Sequence, residues 1–400
     1  MQRVSLFGYG KTTKALAKEF KRVTFYDDKC HKPFVDQEGY SVRPAFEFEP
    51  LYSDLEIPSP GIAPTNPLIQ KAQNLKSEYD YFASVMPRSI WVSGTNGKTT
   101  TTQMIEHLLK KRGAISGGNI GTPLANLPQD ASLWILETSS FMLHYTYEAK
   151  PDIYVLLPIK PDHISWHGSM ESYVEAKLKP LAMMQEGDVA IVPKEYMDYP
   201  TQAMLIGYEN AEELAEFFGI EQERVGFEGA FLLDALLALA VEKILFERLS
   251  YDRMDSFQLE PHRQEELRDG QGRLWVNDTK ATNIDATLSA LERYKSKKIH
   301  LILGGDDKGV DLSPLFEYLC DKNIHTYHIG SNKKRLSTKA KHFGIEFTEC
   351  NNLEDAIIRI DKALEMDEVA LLSPAAASLD EFQSYAHRGN LFKEIVKSLP

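Results

Sequence analysis

Cysteine is scarce in this chain. Three occur in 400 residues, Cys30, Cys320 and Cys350, widely spaced and without a C-x-x-C pair. That excludes a disulfide framework and a cysteine zinc site, and points to a reducing, cytosolic compartment. Positive charge is also in deficit: 45 Lys and Arg stand against 58 Asp and Glu, giving a formal net charge of -13 with no long polybasic run. A nucleic-acid or anionic-membrane footprint is therefore unsupported. The most apolar stretch, Phe231 to Leu245, contains Asp234, Glu242 and Lys243 and falls short of the roughly 20 residues that span a bilayer. The N-terminal apolar pattern runs straight into Gly8, too soon for a signal peptide. What is present is globular: 43% hydrophobic and 26% charged residues over 400 positions, enough for two or three domains and unlike a disordered or collagen-like chain.

Three blocks of alternating strand and helix patterns follow one another, so the expected class is α/β with largely parallel sheets. The first begins with strand patterns at Val4 to Phe7 and Val23 to Tyr26 around a helical pattern from Thr13 to Phe20. Ile57-Pro-Ser-Pro-Gly-Ile62 reads as a turn, with a helix from Asn66. The second block opens at Ser89 to Ser93, continues through a helix to about Arg112 and further strands at Leu133 to Leu136, Ile153 to Leu157 and Val189 to Val192, and ends in a buried helix, Phe231 to Phe246. The third, from about Leu259, reads as an open parallel sheet of dinucleotide-fold type. The predicted domains are residues 1–87, 88–258 and 259–400: a Rossmann-like domain, a central P-loop ATPase-like domain and a C-terminal dinucleotide-fold-like domain.

Gly94-Thr-Asn-Gly-Lys-Thr99 is the strongest chemical signal, because it lies between a strand and a helix. Glycines let the backbone wrap phosphate oxygens, Lys98 offers a point charge to the outer phosphates, and Thr99 can hold magnesium. The loop is shorter than the standard G-x-x-x-x-G-K-[ST] pattern. Gly8-Tyr-Gly10 follows the first strand but lacks the third glycine of G-x-G-x-x-G, and Asp27-Asp28 ends the second, where a dinucleotide or nucleotide sugar would place its ribose or base. Glu137 and His163 follow strands of the second block; Glu137 with Thr99 is a plausible magnesium set, His163 a softer ligand. Asn277 to Asn283, Gly304 to Gly309 and Ser373 to Ser378 follow strands of the third block, where Lys280 and Lys308 suit an anionic substrate.

Taken together and in this order, these motifs resemble the Mur ligases, ATP-dependent amide-forming enzymes of peptidoglycan precursor synthesis, over essentially the whole chain. Gly118-Asn-Ile-Gly121 is similar to the family's nucleotide-sugar loop. Glu137-Thr-Ser-Ser-Phe141, Asn277-Asp-Thr-Lys-Ala-Thr-Asn283 and Ser373-Pro-Ala-Ala-Ala-Ser-Leu-Asp-Glu-Phe382 are most similar to the D-glutamate-adding member. The resemblance implies small-molecule substrates only: ATP, UDP-N-acetylmuramoyl-L-alanine and D-glutamate. No nucleic acid, membrane or oligomer is implied.

Residue by residue, the resemblance implies that Gly94, Thr95, Asn96, Gly97, Lys98 and Thr99 bind ATP, with Arg263 and Asp278 at its ribose. Thr99 and Glu137 would hold one magnesium and His163 would serve a second. Lys177 matches the lysine that the family carbamylates into a metal bridge, so the catalytic set is Lys98, Glu137, His163 and Lys177. Thr12, Thr13, Asp27, Ser59 and Asn119 match UDP-sugar contacts. Lys280, Thr282, Lys308, Ser378 and Tyr385, the last a Phe in the usual relative, match the amino-acid pocket. Two departures stand out. Phe227-Glu-Gly-Ala-Phe-Leu-Leu-Asp234 replaces the family's His-Asn and following Asn, so no adenine contact is carried over, and Lys11 replaces a hydrophobic residue before Thr12. The competing expectations are the same chemistry with another amino acid, a folylpolyglutamate-synthase-like ligase, which lacks a comparable first domain, and a non-catalytic nucleotide-binding protein, which would lose Glu137, His163 and Lys177.

Overall fold

The computed structural model describes residues 2–119 and 121–400. It contains three sheets. The first has the order β3-β4-β2-β1-β5, with β1 Val4–Phe7, β2 Val23–Asp27, β3 Phe34–Val35, β4 Ser41–Pro44 and β5 Leu55–Pro58. The second is parallel throughout, β11-β10-β9-β6-β8-β7, built from β6 Ser89–Ser93, β7 Ala114–Gly118, β8 Leu133–Glu137, β9 Ile153–Leu156, β10 Val189–Pro193 and β11 Met204–Tyr208. The third runs β12-β13-β17-β14-β15-β16, from β12 Glu265–Arg268, β13 Leu274–Asn277, β14 Ile299–Gly304, β15 Ile324–Ile329, β16 Phe347–Glu349 and β17 Val369–Leu372.

The chain divides into two compact units, residues 1–227 with 231–257, and residues 228–230 with 258–400. The first two sheets share one unit because a continuous core joins them, running from Leu6 and Phe25 through Tyr79 and Trp91 to Leu136 and Leu156. In the other unit both faces of the third sheet are covered. Leu274, Val276, Leu301 and Leu303 enter one core, while Trp275, Ile302 and Leu372 enter the other. Strands buried on both faces lose polar alternation and read as continuous apolar runs.

Several local expectations are corrected. The first helix is Lys11–Ala17, not Thr13 to Phe20. Ile57 and Pro58 belong to β5 rather than to a turn, because buried Glu56 finds the amide of Asn74 at 2.6 Å and Pro58 falls at the strand's end. The helix after Asn66 is only Pro67–Lys71, with the Asn66 side chain capping the Leu68 amide. The third sheet is not purely parallel: β12 pairs antiparallel with β13 and forms an edge. Among the described residues no helix is long and apolar enough to cross a membrane.

Candidate active site

The phosphate loop connects β6 to the helix Lys98–Leu109. Gly97 has φ 85°, and a Cβ there would lie 2.5 Å from Asp234 Oδ1 and 2.7 Å from Leu157 Cδ2, so only glycine fits. Lys98 Nζ donates to the carbonyls of Gly94 at 3.0 Å and Thr95 at 2.7 Å, curling over the loop. Thr95 is fixed by its hydroxyl, which receives the Lys160 amide at 2.8 Å and lies 3.0 Å from Tyr173 OH. Asn96 belongs to the same loop.

Glu137 ends β8, between the strands that feed the phosphate loop and the Gly118 to Gly121 loop. It is 2% exposed, and its two oxygens are divided: Oε2 accepts from Thr99 Oγ1 at 2.8 Å and Oε1 from Asn119 Nδ2 at 2.6 Å. Hard oxygen donors of this kind fit magnesium. Lys177, from the helix Met170–Met183, is 1% exposed and donates to Gly94 O at 2.7 Å, the same carbonyl that Lys98 uses. Burial, and then the Lys98 charge, hold its amine well below the usual lysine range, against the opposing pull of Asp162 and Glu137.

His163 is placed differently. It adopts φ 53°, its side chain is 40% exposed, and Nε2 lies 3.5 Å from Asp162 Oδ2. The Tyr173 ring stands close to both groups, 6.4 Å from the His163 ring and 4.8 Å from Lys177 Nζ. Lys98, Thr99, Glu137, Asn119 and Lys177 thus converge, while His163 stands beside Asp162 and the Tyr173 ring. Among the described residues no three His, Cys, Asp or Glu side chains are gathered as a metal cage.

In the first sheet, Gly8 to Gly10 follow β1, Asp27 ends β2 and Ser59 follows β5, three neighbouring parallel strands, at the edge where such sheets bind ligands. Thr13 is fully buried and its hydroxyl donates to Gly8 O at 2.7 Å, so it locks the turn from within. Thr12 is half-buried beside it. Asp27 accepts from the amides of Tyr9 at 2.6 Å and Lys29 at 2.8 Å.

In the C-terminal unit the three loops predicted to bind ligand follow β13, β14 and β17, which are adjacent at the centre of the sheet. Asp278 is buried, accepts from Ser373 Oγ at 2.7 Å and the Gln264 amide at 3.2 Å, and is nevertheless pushed up to about 7 by burial. Glu260 gathers two cations, Lys280 at 2.7 Å and Arg263 at 3.8 Å, and Lys280 Nζ lies 5.6 Å from the centre of the Tyr385 ring. Ser378 is buried; Thr282 and Lys308 are exposed and join neither cluster.

Sequence reasoning missed two residues here. Asp234 packs behind Gly97 and accepts from Thr101 Oγ1 at 2.9 Å; its one legible signal is a carboxylate inside the apolar run Phe231 to Val241. Arg388, fully buried, donates to Thr279 Oγ1 at 2.8 Å, Thr279 O at 3.0 Å, Ala376 O at 3.1 Å and Gly304 O at 3.2 Å, tying all three loops together. No local pattern announces that contact.

Residues 92–232 match the Mur ligase middle domain. A Campylobacter jejuni protein (serotype O:23/36, strain 81-176), UDP-N-acetylmuramoylalanine–D-glutamate ligase, is 55% identical over 99% of this chain and 100% of its own length. The chain belongs to the Mur ligase family. A Helicobacter pylori (strain J99) protein of the same name is 48% identical over 98% of this chain and 99% of its own length. Among solved structures, the Mur ligase fold is matched by the Thermotoga maritima MurF ligase in complex with ADP, with a TM-score of 0.60, 17% identity and 94% of each chain covered. At that identity the likeness concerns the fold alone.

Proposed function

We propose that this chain is the ATP-dependent ligase that joins D-glutamate to UDP-N-acetylmuramoyl-L-alanine in peptidoglycan precursor synthesis, in the cytoplasm. The observation that carries the substrate assignment is the 55% identity to the Campylobacter jejuni ligase along 99% of the chain. The geometry supplies the chemistry. The alanyl carboxylate attacks the γ-phosphorus of ATP, the bond to ADP breaks, and an acyl phosphate results; the amine of D-glutamate then displaces phosphate and loses its extra proton. Lys98 and the Gly94–Gly97 loop hold the phosphates, so catalysis rests on positioning and charge rather than on an enzyme nucleophile.

Thr99 and Glu137 would hold one magnesium, with His163 and a modified Lys177 serving a second; magnesium would neutralise phosphoryl charge. Burial disfavours the charged form of the Lys177 amine; the neutral amine is the form that adds to carbon dioxide, and loss of one proton would then leave a Lys177 carbamate. Asn119 would orient Glu137. Residues 1–87 would carry the UDP-sugar through Thr12, Thr13, Asp27 and Ser59, joined by Asn119 from the second block, with residues 88–258 holding the ATP and residues 259–400 the amino acid through Lys280, Thr282, Lys308, Ser378 and Tyr385. Arg263 and Asp278 would meet the ribose. Phosphate release with UDP-N-acetylmuramoyl-L-alanine and each of D-glutamate, L-glutamate, L-alanine and L-lysine tests the reading. Turnover should require D-glutamate, and label from the alanyl carboxyl oxygen should appear in the released phosphate. Turnover independent of D-glutamate refutes the amino-acid assignment, and absence of label refutes the acyl phosphate.

A further inference from the structure

Lys308 joins neither cluster of the C-terminal unit, yet its backbone is held in a conformation that residues other than glycine seldom adopt. It has φ 52°, and a lysine in the left-handed region carries a strain that neighbouring contacts must offset. Two consecutive carboxylates do so. Asp306 Oδ1 accepts from the Lys308 amide at 2.9 Å, and Asp307 Oδ1 accepts from the Gly309 amide at 2.9 Å, so side chains close the turn around Lys308 from both sides. Asp306 is anchored in turn by its backbone, which exchanges two bonds of 2.9 Å with Ala377 in the loop after β17.

Asp307 is buried, and its carboxylate is gripped from the segment after β15. Asn332 Nδ2 donates to Oδ2 at 2.9 Å, Arg335 Nη1 donates to Oδ1, and Arg335 Nη2 donates to the Val310 carbonyl at 2.9 Å. Arg335 thus holds the turn at two points, one on each side of Lys308 in the chain. It also supplies the positive charge that this buried carboxylate meets, a charge-assisted bond stronger than the neutral contact from Asn332. A buried carboxylate deprived of its cation is poorly compensated, so the turn depends on Arg335 more than on any one amide within it. The guanidinium itself is half-exposed, and replacing it hollows no core.

We infer that Arg335 is a positioning residue for the amino-acid substrate: acting through Asp307, it holds Lys308 in place for the carboxylate of D-glutamate. The inference rests on the reading of Lys308 as part of the amino-acid pocket, and it assigns Arg335 no contact with substrate.

The test is steady-state phosphate release by the full chain, as wild type, Arg335→Met, Arg335→Lys, Lys308→Met and the double variant Arg335→Met with Lys308→Met, each substrate being varied in turn. Arg335→Met should raise the KM for D-glutamate about fivefold or more, while kcat and the KM values for ATP and the UDP-sugar stay within about twofold. Arg335→Lys should recover part of the loss, since one ammonium can meet Asp307 but not Val310 as well. In the double variant the KM for D-glutamate should match that of Lys308→Met, because a residue that acts only through Lys308 then has nothing left to position. An unchanged D-glutamate KM in Arg335→Met overturns the inference. So does an additive rise in the double variant, or a parallel rise in the KM for ATP. A wild-type D-glutamate KM in Lys308→Met removes Lys308 from the pocket and the inference with it, whereas wild-type turnover that needs no D-glutamate refutes the amino-acid assignment itself.

Discussion

Arg388 offers the sharpest test of how the loops of the C-terminal unit are held. Its guanidinium is fully buried and spans three carbonyls and one hydroxyl on the loops after β13, β14 and β17. Burial holds it below the usual arginine range, at about 10, so some desolvation cost is recovered when the charge is removed. Arg388→Met would nonetheless strand carbonyls of Thr279, Gly304 and Ala376, each costing about 1–2 kcal/mol when left without a donor. A net loss of about 3–5 kcal/mol follows. Gly304 and Gly305 have no tolerance for loop drift: a Cβ on Gly305 would already lie 2.1 Å from Ala377 O. Hydrogen exchange resolved to peptides is the suitable assay, because a chain with two compact units need not unfold in one step. Protection should fall in the segments around Gly304 and Ala376 and stay unchanged around Gly94. Arg388→Lys should retain less than half of that protection, since one ammonium cannot reach carbonyls on three loops. Unchanged protection in Arg388→Met would refute the argument that this side chain is the tie.

Three further expectations are open to direct measurement. Lys177→Ala should lower phosphate release about a hundredfold or more, with partial rescue by a short carboxylic acid; normal activity would end the carbamate role. Gly97→Ala should abolish nucleotide binding because its Cβ meets Asp234 Oδ1 and Leu157 Cδ2, and adding Asp234→Ala together with Leu157→Ala should recover part of it, with a residual strain of about 1 kcal/mol from the positive φ; no recovery in the triple variant would count against the steric account. Glu368 is pushed up by burial, but Lys298, His300 and the Glu365 amide outweigh this and take it to about 2. A depressed carboxyl contributes stability above its unfolded value, about 4.3, and loses it as pH falls toward 2. The urea midpoint of the wild type should therefore drop further between pH 6 and pH 3 than that of Glu368→Gln, and equal drops would count against the assignment.

Much of the fold was legible because its signals are local. Val4 to Phe7, Ser89 to Ser93 and Val369 to Leu372 are short apolar runs, and the structure places strands at those positions. The phosphate loop was equally visible, since strand, glycines, lysine and helix follow one another directly in the chain. β7 ends in Gly117 and Gly118, and β5 hides Glu56 and Pro58; their strand character depends on neighbours that pair with them, not on composition. The helix Tyr385–Ser398 escaped notice in part because Gly389 weakens its pattern, and that glycine is required where a Cβ would lie 2.3 Å from His262 Nδ1. Arg388 and Asp234 were opaque for the same reason: each bonds a residue more than a hundred positions away, Thr279 for Arg388 and Thr101 for Asp234.

The divided carboxylate of Glu137 acts as a joint between two loops. One oxygen answers to the hydroxyl of Thr99 and the other to the amide of Asn119, so a group that captures one oxygen displaces the partner which that oxygen holds. One acid therefore couples the loop after β6 to the loop after β7, and a substitution that removes it would loosen both together.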